Sequence, residues 1–281
     1  MTKFEDIVEH IESLPPLSPV AFKLKELFRD GVENVNVLKL IRTIEADATL
    51  TANVLKFVNA PKYGFSKKIS SVSQAVTLLG IEIIYGLVID YAIHQKLQAD
   101  ISAYGITNIQ FNDICHLQSS LLMQWFSKVD LRDALFLTPL ALIMEVGKLI
   151  IAKEVKRKSF ALKFRRGLGE AKDIQQYEYE LFGTTSYYVS AILFEHWNID
   201  DIFVEILKNL DFETKDKNHR IEYYCDILNV VRSAVNVKGI LTEKSIKEAA
   251  YNVEMMGLSS ATFLHVANRI KRSYEASKGL A

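Results

Sequence analysis

The chain has 281 residues, 49% hydrophobic and 24% charged, an ordinary globular composition with ample apolar material for a buried core. Lys plus Arg and Asp plus Glu both number 34, so the formal net charge is zero; this excludes a long-range pull toward nucleic acid or acidic membranes and weakly favours association between protein molecules. The two cysteines, Cys115 and Cys225, lie far apart without metal-ligand spacing, which argues against a disulfide framework or structural zinc and fits a reducing, cytoplasmic compartment.

Helix signals then recur from end to end. The opening MTKFEDIVEH is acidic and amphipathic and lacks the basic start and apolar run of a secretory signal. Ser18 caps a helix with Pro19 at its first position, and Val20, Leu24, Leu27 and Phe28 draw one apolar stripe. Asn36 caps a second helix (Val37, Leu40, Ile41, Ile44), and Asp47 a third (Leu50, Val54, Phe57, Val58) that Pro61 stops. Ser71 or Ser73 opens a short helix that Gly80 breaks. Residues 98–108 carry turn residues and few apolar anchors, and a seam is placed there, dividing a helical part over 1–100 from a second over 101–281. Long helical patterns follow over 111–129 and 135–155; Glu145, Gly147 and Lys148 interrupt the apolar run of the latter, so it reads as a buried helix, not a membrane span. Further helices are expected over 170–181 with Gly183 as the stop, from Thr185 to about Trp197, from Asp200 through Ile202, Ile206 and Leu210, over 221–237, after Thr242, and around Phe263, Ala267, Ile270 and Tyr274. No stretch alternates with a period of two, so the fold class is all-α.

A search for chemistry finds no Gly-rich phosphate loop, no GxSxG and no HExxH, and no two of the six histidines share helical i, i+4 spacing. His116 alone on a helix is more often a packed side chain than a ligand. Residues 153–167 hold seven basic residues against Glu154, a run that either contacts a phosphate or an acidic partner or is a solvated helix end.

Two stretches carry a resemblance: LPPLSPVAFKLKELF from Leu14, and IEADATLTANVLKFVNAPKYGFSKKISSVSQAVTLLG from Ile44. Leu14, Pro15, Pro16 and Leu17, then Glu45 and Asp47, Asn59, Tyr63 and Gly64, Ile69 and Val72, and Leu78, Leu79 and Gly80 follow the order and spacing of the HDOD domain, a modified HD/phosphodiesterase-like domain of bacterial signalling proteins. Ala48 and Ala60 depart from the usual proline and serine. The segment ALFLTPLALIMEVGKLIIA resembles the helix that carries His-Asp-Ile-Gly-Lys in HD phosphohydrolases; Gly147 and Lys148 persist, while Met144 and Glu145 replace histidine and aspartate. Thr185, Ser186, Asn209 and Leu210 stand where relatives place further histidines, and the family's first histidine falls near Cys115 or His116. The resemblance covers 14–210; the helices beyond carry no motif.

The resemblance implies a multi-helix HD-like bundle with an N-terminal helical subdomain and a degenerate metal site, for thioether sulfur is a poor ligand for a hard divalent cation. It implies a non-catalytic, cytoplasmic, bacterial signal-transduction protein working through contacts with other signalling proteins, with no catalytic residue, metal or other cofactor, and neither nucleic-acid binding nor membrane insertion. Asp47, Asn59, Tyr63 and Gly64 are read as specifying the fold, with interaction the second role open to them. One alternative is a divergent metal-dependent phosphohydrolase acting on a nucleotide, with Glu145 and His116 as ligands. Against it, Glu145 and Lys148 meet on one helical face as an i, i+3 ion pair. In that hydrolase Lys148 could contact a phosphate; another alternative is a sensor without turnover that holds a nucleotide on the 153–166 cluster, with Lys156, Arg157, Lys158, Arg165 and Arg166.

Overall fold

The computed structural model describes residues 4–59, 68–97, 100–211 and 218–279. They are nearly all helical, with one two-residue β pairing, as the all-α expectation requires. Two compact units emerge and interleave along the chain, with one of their boundaries between Lys96 and Leu97.

One unit holds residues 17–96, 119–143 and 261–281. Its first helices are α2 (Pro19–Phe28), α3 (Val37–Glu45), α4 (Ala48–Val58) and α5 (Val72–Leu79). Each begins on the side chain that satisfies an otherwise orphaned backbone N–H: Ser18 accepts from Ala21 N, Asn36 from Lys39 N, Asp47 from Leu50 N at 2.9 Å, and Ser71, not Ser73, from Gln74 N. Gly80 ends α5 at φ +84°. The next residue opens α6 (Ile81–Lys96), a helix that amphipathic periodicity could not reveal because apolar residues surround it. Its Gly86 lies against Pro139 of α8 (Leu131–Ile143); a Cβ there would come within 2.9 Å of the proline Cα.

The other unit holds residues 1–16, 97–118 and 144–260. It includes α1 (Phe4–Glu12), α9 (Gly147–Arg157), α10 (Ala161–Glu170), α11 (Ile174–Phe182), α12 (Ser186–His196), α13 (Asp201–Asn209), α14 (His219–Ala234) and α15 (Glu243–Met255). Two helices contribute residues to both units: α7 (Asn108–Phe126), and α16 (Ser260–Lys278), whose first residue belongs to this unit.

Four expectations need correcting. The single pattern over 135–155 is two helices, α8 and α9, separated by a 3-10 turn at Met144–Val146. The expected seam is not poor in anchors, because Ile101, Ala103 and Tyr104 form a buried 3-10 turn. The helix over 221–237 stops at Ala234, and Val235–Asn236 pairs antiparallel with Gly239–Ile240. Half of the basic run is itself a helix, α10. The segment Leu131–Arg157, apolar and long enough to cross a membrane by composition, is 89% buried over its most apolar window, as core helices are.

Candidate functional site

The 3-10 turn at Met144–Val146 aims one carboxylate inward. Glu145 is 1% exposed and Lys148, one turn on, is also 1% exposed. Lys148 Nζ stands 2.6 Å from Glu145 Oε2, the ion pair expected from their spacing. Glu145 Oε1 accepts from Tyr187 Oη at 2.6 Å and from Gln118 Nε2 at 2.7 Å. The same Gln118 nitrogen donates to the Val235 carbonyl at 2.8 Å, tying α7 to the strand that follows α14.

Lys148 has further company. Its ammonium donates to Ser186 Oγ at 2.9 Å and lies 4.4 Å from the centre of the Tyr187 ring. Behind Ser186 sits Glu178, also fully buried, which accepts from the Ser186 backbone N–H at 2.6 Å and from Tyr104 Oη at 2.8 Å. A carboxylate at the first turn of α12 suits the helix dipole. The Arg232 guanidinium also lies over the Tyr187 ring, 4.8 Å from its centre, and pairs with Asp211. Residues from seven separate stretches thus form one polar cluster.

Burial and charge compete at each group. Burial alone would push the Glu145 carboxyl up, but the Lys148 charge and three hydrogen bonds outweigh it and hold it below the ordinary carboxylate range. Burial likewise opposes the Lys148 ammonium, and the Glu145 and Glu178 carboxylates overcome it, so its pKa is raised. Glu178 goes the other way: burial dominates and lifts it above the usual value. The pair is therefore ionised in the fold, with Glu178 the group nearest to taking up a proton.

The backbone around the cluster is close-packed. Gly147 N donates to Ser190 Oγ at 2.8 Å, and that hydroxyl reaches the Met144 carbonyl at 2.7 Å. A Cβ on Gly147 would fall on the Ser186 carbonyl oxygen and 2.7 Å from Ser190 N, so only glycine lets α12 approach this turn.

Of the residues singled out from sequence, Glu145, Lys148 and Ser186 come together. Met144 is buried beside them, and its carbonyl accepts from Ser190 Oγ. Thr185 caps α12 by accepting from Tyr188 N. Asn209 donates to the Glu205 carbonyl within α13, and Leu210 is core. His116 is partly buried on α7, two residues before Gln118, the side chain that does reach Glu145. Among the described residues no group of three or more His, Cys, Asp or Glu could hold a metal ion. The residues present do not fit a divalent pair: the one carboxylate from the metal motif has its oxygens taken by an amide, a phenol and an ammonium.

Most of the basic cluster faces carboxylates of the chain itself. Lys156 pairs with Asp100, whose carboxyl is lowered to about 2 by that hydrogen bond. Arg157 pairs with Glu154 at 2.7 Å and approaches Asp6 at 3.7 Å; Lys158 reaches Asp6 at 3.2 Å, and Arg166 lies 3.3 Å from Glu170. Arg165 lies beside Gly105. Within the hallmark, Asp47 caps α4, and Asn59 both closes α4 onto the Leu55 carbonyl and exchanges two 2.8 Å hydrogen bonds with the backbone of Ile69. Tyr63 and Gly64 lie outside the described residues. Sequence reasoning missed Gln118, Glu178, Tyr187, Asp211 and Arg232; no spacing rule links them, and the one signal was that Tyr187 adjoins a family ligand position.

The family model of the HDOD domain matches residues 14–211. None of the curated proteins matches the chain. Among solved structures, a Shewanella amazonensis SB2B protein described as a candidate phosphohydrolase superposes with a TM-score of 0.72 at 16% identity, covering 98% of each chain. A Marinobacter aquaeolei VT8 protein described as a candidate signal transduction protein gives 0.65 at 19% identity, over 100% of this chain and 61% of its own. An HDOD domain protein of unknown function from Geobacter sulfurreducens gives 0.63 at 14% identity, over 96% of each chain. At these identities the likeness is one of fold.

Proposed function

Because the chain belongs to the HDOD domain family, we propose that it is a non-catalytic, cytoplasmic signal-transduction protein that regulates other signalling proteins by direct contact. One observation carries this reading: in a fully buried site the Glu145 carboxylate, at the motif's metal position, is already engaged by Gln118, by Tyr187 and by Lys148 Nζ at 2.6 Å. A divalent ion activates water and clamps phosphate; an ammonium held by Glu145 and Ser186 offers no open coordination position for either. The buried pair instead fastens α9 to α12, a structural task that suits a module presenting a fixed surface. The family match and the description of the Marinobacter neighbour favour a role in signalling.

The second reading, a divergent nucleotide phosphohydrolase, has in its favour the description of the Shewanella neighbour. Elemental analysis for Mn, Fe, Zn and Mg on the purified protein, with nucleotide hydrolysis assays on the same sample, separates the two. Substoichiometric metal and no turnover is the expected result. Stoichiometric metal with nucleotide hydrolysis overturns the regulatory reading. A nucleotide on the basic residues 153–166 is checked by calorimetric titration with cyclic dinucleotides and guanosine tetraphosphate; no heat is expected, because Lys156, Arg157, Lys158 and Arg166 already face carboxylates.

A further inference from the structure

We propose that the cleft between α14 and α15, outside the matched family region, is a binding site for an uncharged aminopurine ring of the adenine kind. The cleft has a volume of about 370 Å³ and is lined by Asp226, Asn229, Arg232 and Ser233 of α14 and by Asn252, Met255 and Met256 at the end of α15. This is within the size range of small-ligand pockets, at its lower end.

Three features select the ligand. The first is amide chemistry. Asn252 Nδ2 donates to Ser233 Oγ at 3.2 Å, and Ser233 is itself anchored to the Asn229 carbonyl at 2.7 Å. That holds the Asn252 side chain in the cleft wall, and a primary amide carries a second N–H beside its carbonyl oxygen. An asparagine edge of this form matches the adjacent N7 acceptor and amino donor of adenine. The side-chain oxygen of Asn229 is buried without a hydrogen-bond partner. A buried acceptor without a donor is uncommon, and the terminal amide torsion is soft enough to turn it toward an incoming amino group.

The second feature is charge. The Arg232 guanidinium is engaged by Asp211 and stacked on Tyr187, and Asp226 adds a carboxylate to the lining. Among the described lining residues the one cation, Arg232, is already paired, so a phosphate gains little there, whereas an amino donor does. The third is the pair of methionines: Met255 is 70% exposed at the rim beside Met256. Thioethers are polarizable and mobile, and they settle against the face or edge of an aromatic ring. Arg232 joins the cleft to the Glu145–Lys148 cluster through Tyr187, so occupancy would bear on the buried network.

This inference goes beyond the regulatory reading and does not rest on it; hydrolysis by the protein would defeat that reading and leave this one standing. The test is calorimetric titration of the full chain, in buffer with EDTA, with adenosine, inosine, adenosine monophosphate and inorganic phosphate. Saturable one-to-one binding of adenosine is expected, about tenfold or more weaker for inosine, which lacks the amino donor. Adenosine monophosphate should bind no tighter than adenosine, and phosphate not at all. Asn252→Leu and, at the exposed rim, Met255→Glu should each weaken adenosine binding with the thermal melt unchanged. The proposal is overturned if adenosine does not saturate at about 10 mM, far above typical ligand affinities. It is equally overturned if inosine or phosphate binds as well as adenosine, or if both variants, folded as the parent, bind adenosine as the parent does.

Discussion

The two compact units solve the same packing problem in different ways. In the unit of residues 17–96, 119–143 and 261–281, the interior is apolar and its polar bonds reach backbone close by in chain or space, such as Thr138 Oγ1 to the Ala134 carbonyl and Ser119 Oγ to the Thr138 carbonyl. In the other unit lie all the fully buried charged residues among those described: Glu145, Lys148, Glu154 and Glu178. Removing water from a charge is costly unless a partner is in place, so the second unit holds energy in pairwise geometry where the first holds it in volume and caps. Loss of one partner should therefore hurt the charged unit far more than loss of one cap hurts the apolar one.

The sharpest contrast is between two glycines. Gly147→Ala sets its Cβ against the backbone of α12 and should abolish the cooperative melt, a loss of more than about 4 kcal/mol. Gly86→Ala, which meets Pro139 at 2.8 Å, should cost about 1–3 kcal/mol. Circular dichroism on both variants tests the order, and equal melting temperatures would erase the difference between the units.

Next in size, Lys148→Met leaves the Glu145 carboxylate buried without its cation and should cost about 3–5 kcal/mol by urea titration. Adding Glu145→Leu to it should restore most of that loss. The pH dependence has a definite sign. In the parent, Glu145 is held below the ordinary range, so its contribution is present above the unfolded pKa and is lost as pH falls through the depressed folded value. In Lys148→Met burial acts unopposed, the carboxyl is raised, and falling pH relieves the strain. The stability gap between the two proteins should narrow from about pH 7 to about pH 4.

Asn59→Ala, in the apolar unit, removes a side chain that pairs with Ile69 as a neighbouring strand would, and should cost about 2 kcal/mol. Smallest is Asp47→Ala, which loses one helix cap and should cost about 1 kcal/mol. Chemical denaturation ranks Lys148→Met, Asn59→Ala and Asp47→Ala, and an Asn59 loss larger than the Lys148 loss would break the comparison.

What the sequence determined by itself was local. Ser18, Asn36, Asp47 and Thr185 each cap the helix that their spacing announces, because a cap is decided within three residues of chain. The family was legible for a similar reason: its motif is a fixed order of turns and caps between Leu14 and Gly80. The Glu145–Lys148 pair was legible too, because one helical turn brings i and i+3 together. The break at Met144–Val146 and the whole of α6 were not, since residues buried on every side lose the periodicity that marks an amphipathic helix. Only the tertiary structure decided that Gln118, Glu178, Tyr187, Asp211 and Arg232 gather around that pair. Apart from Glu178 and Ser186, eight residues apart, the partners lie more than twenty residues away, and what selects them is the cost of leaving a buried charge unpaired, which exists only once the helices have packed.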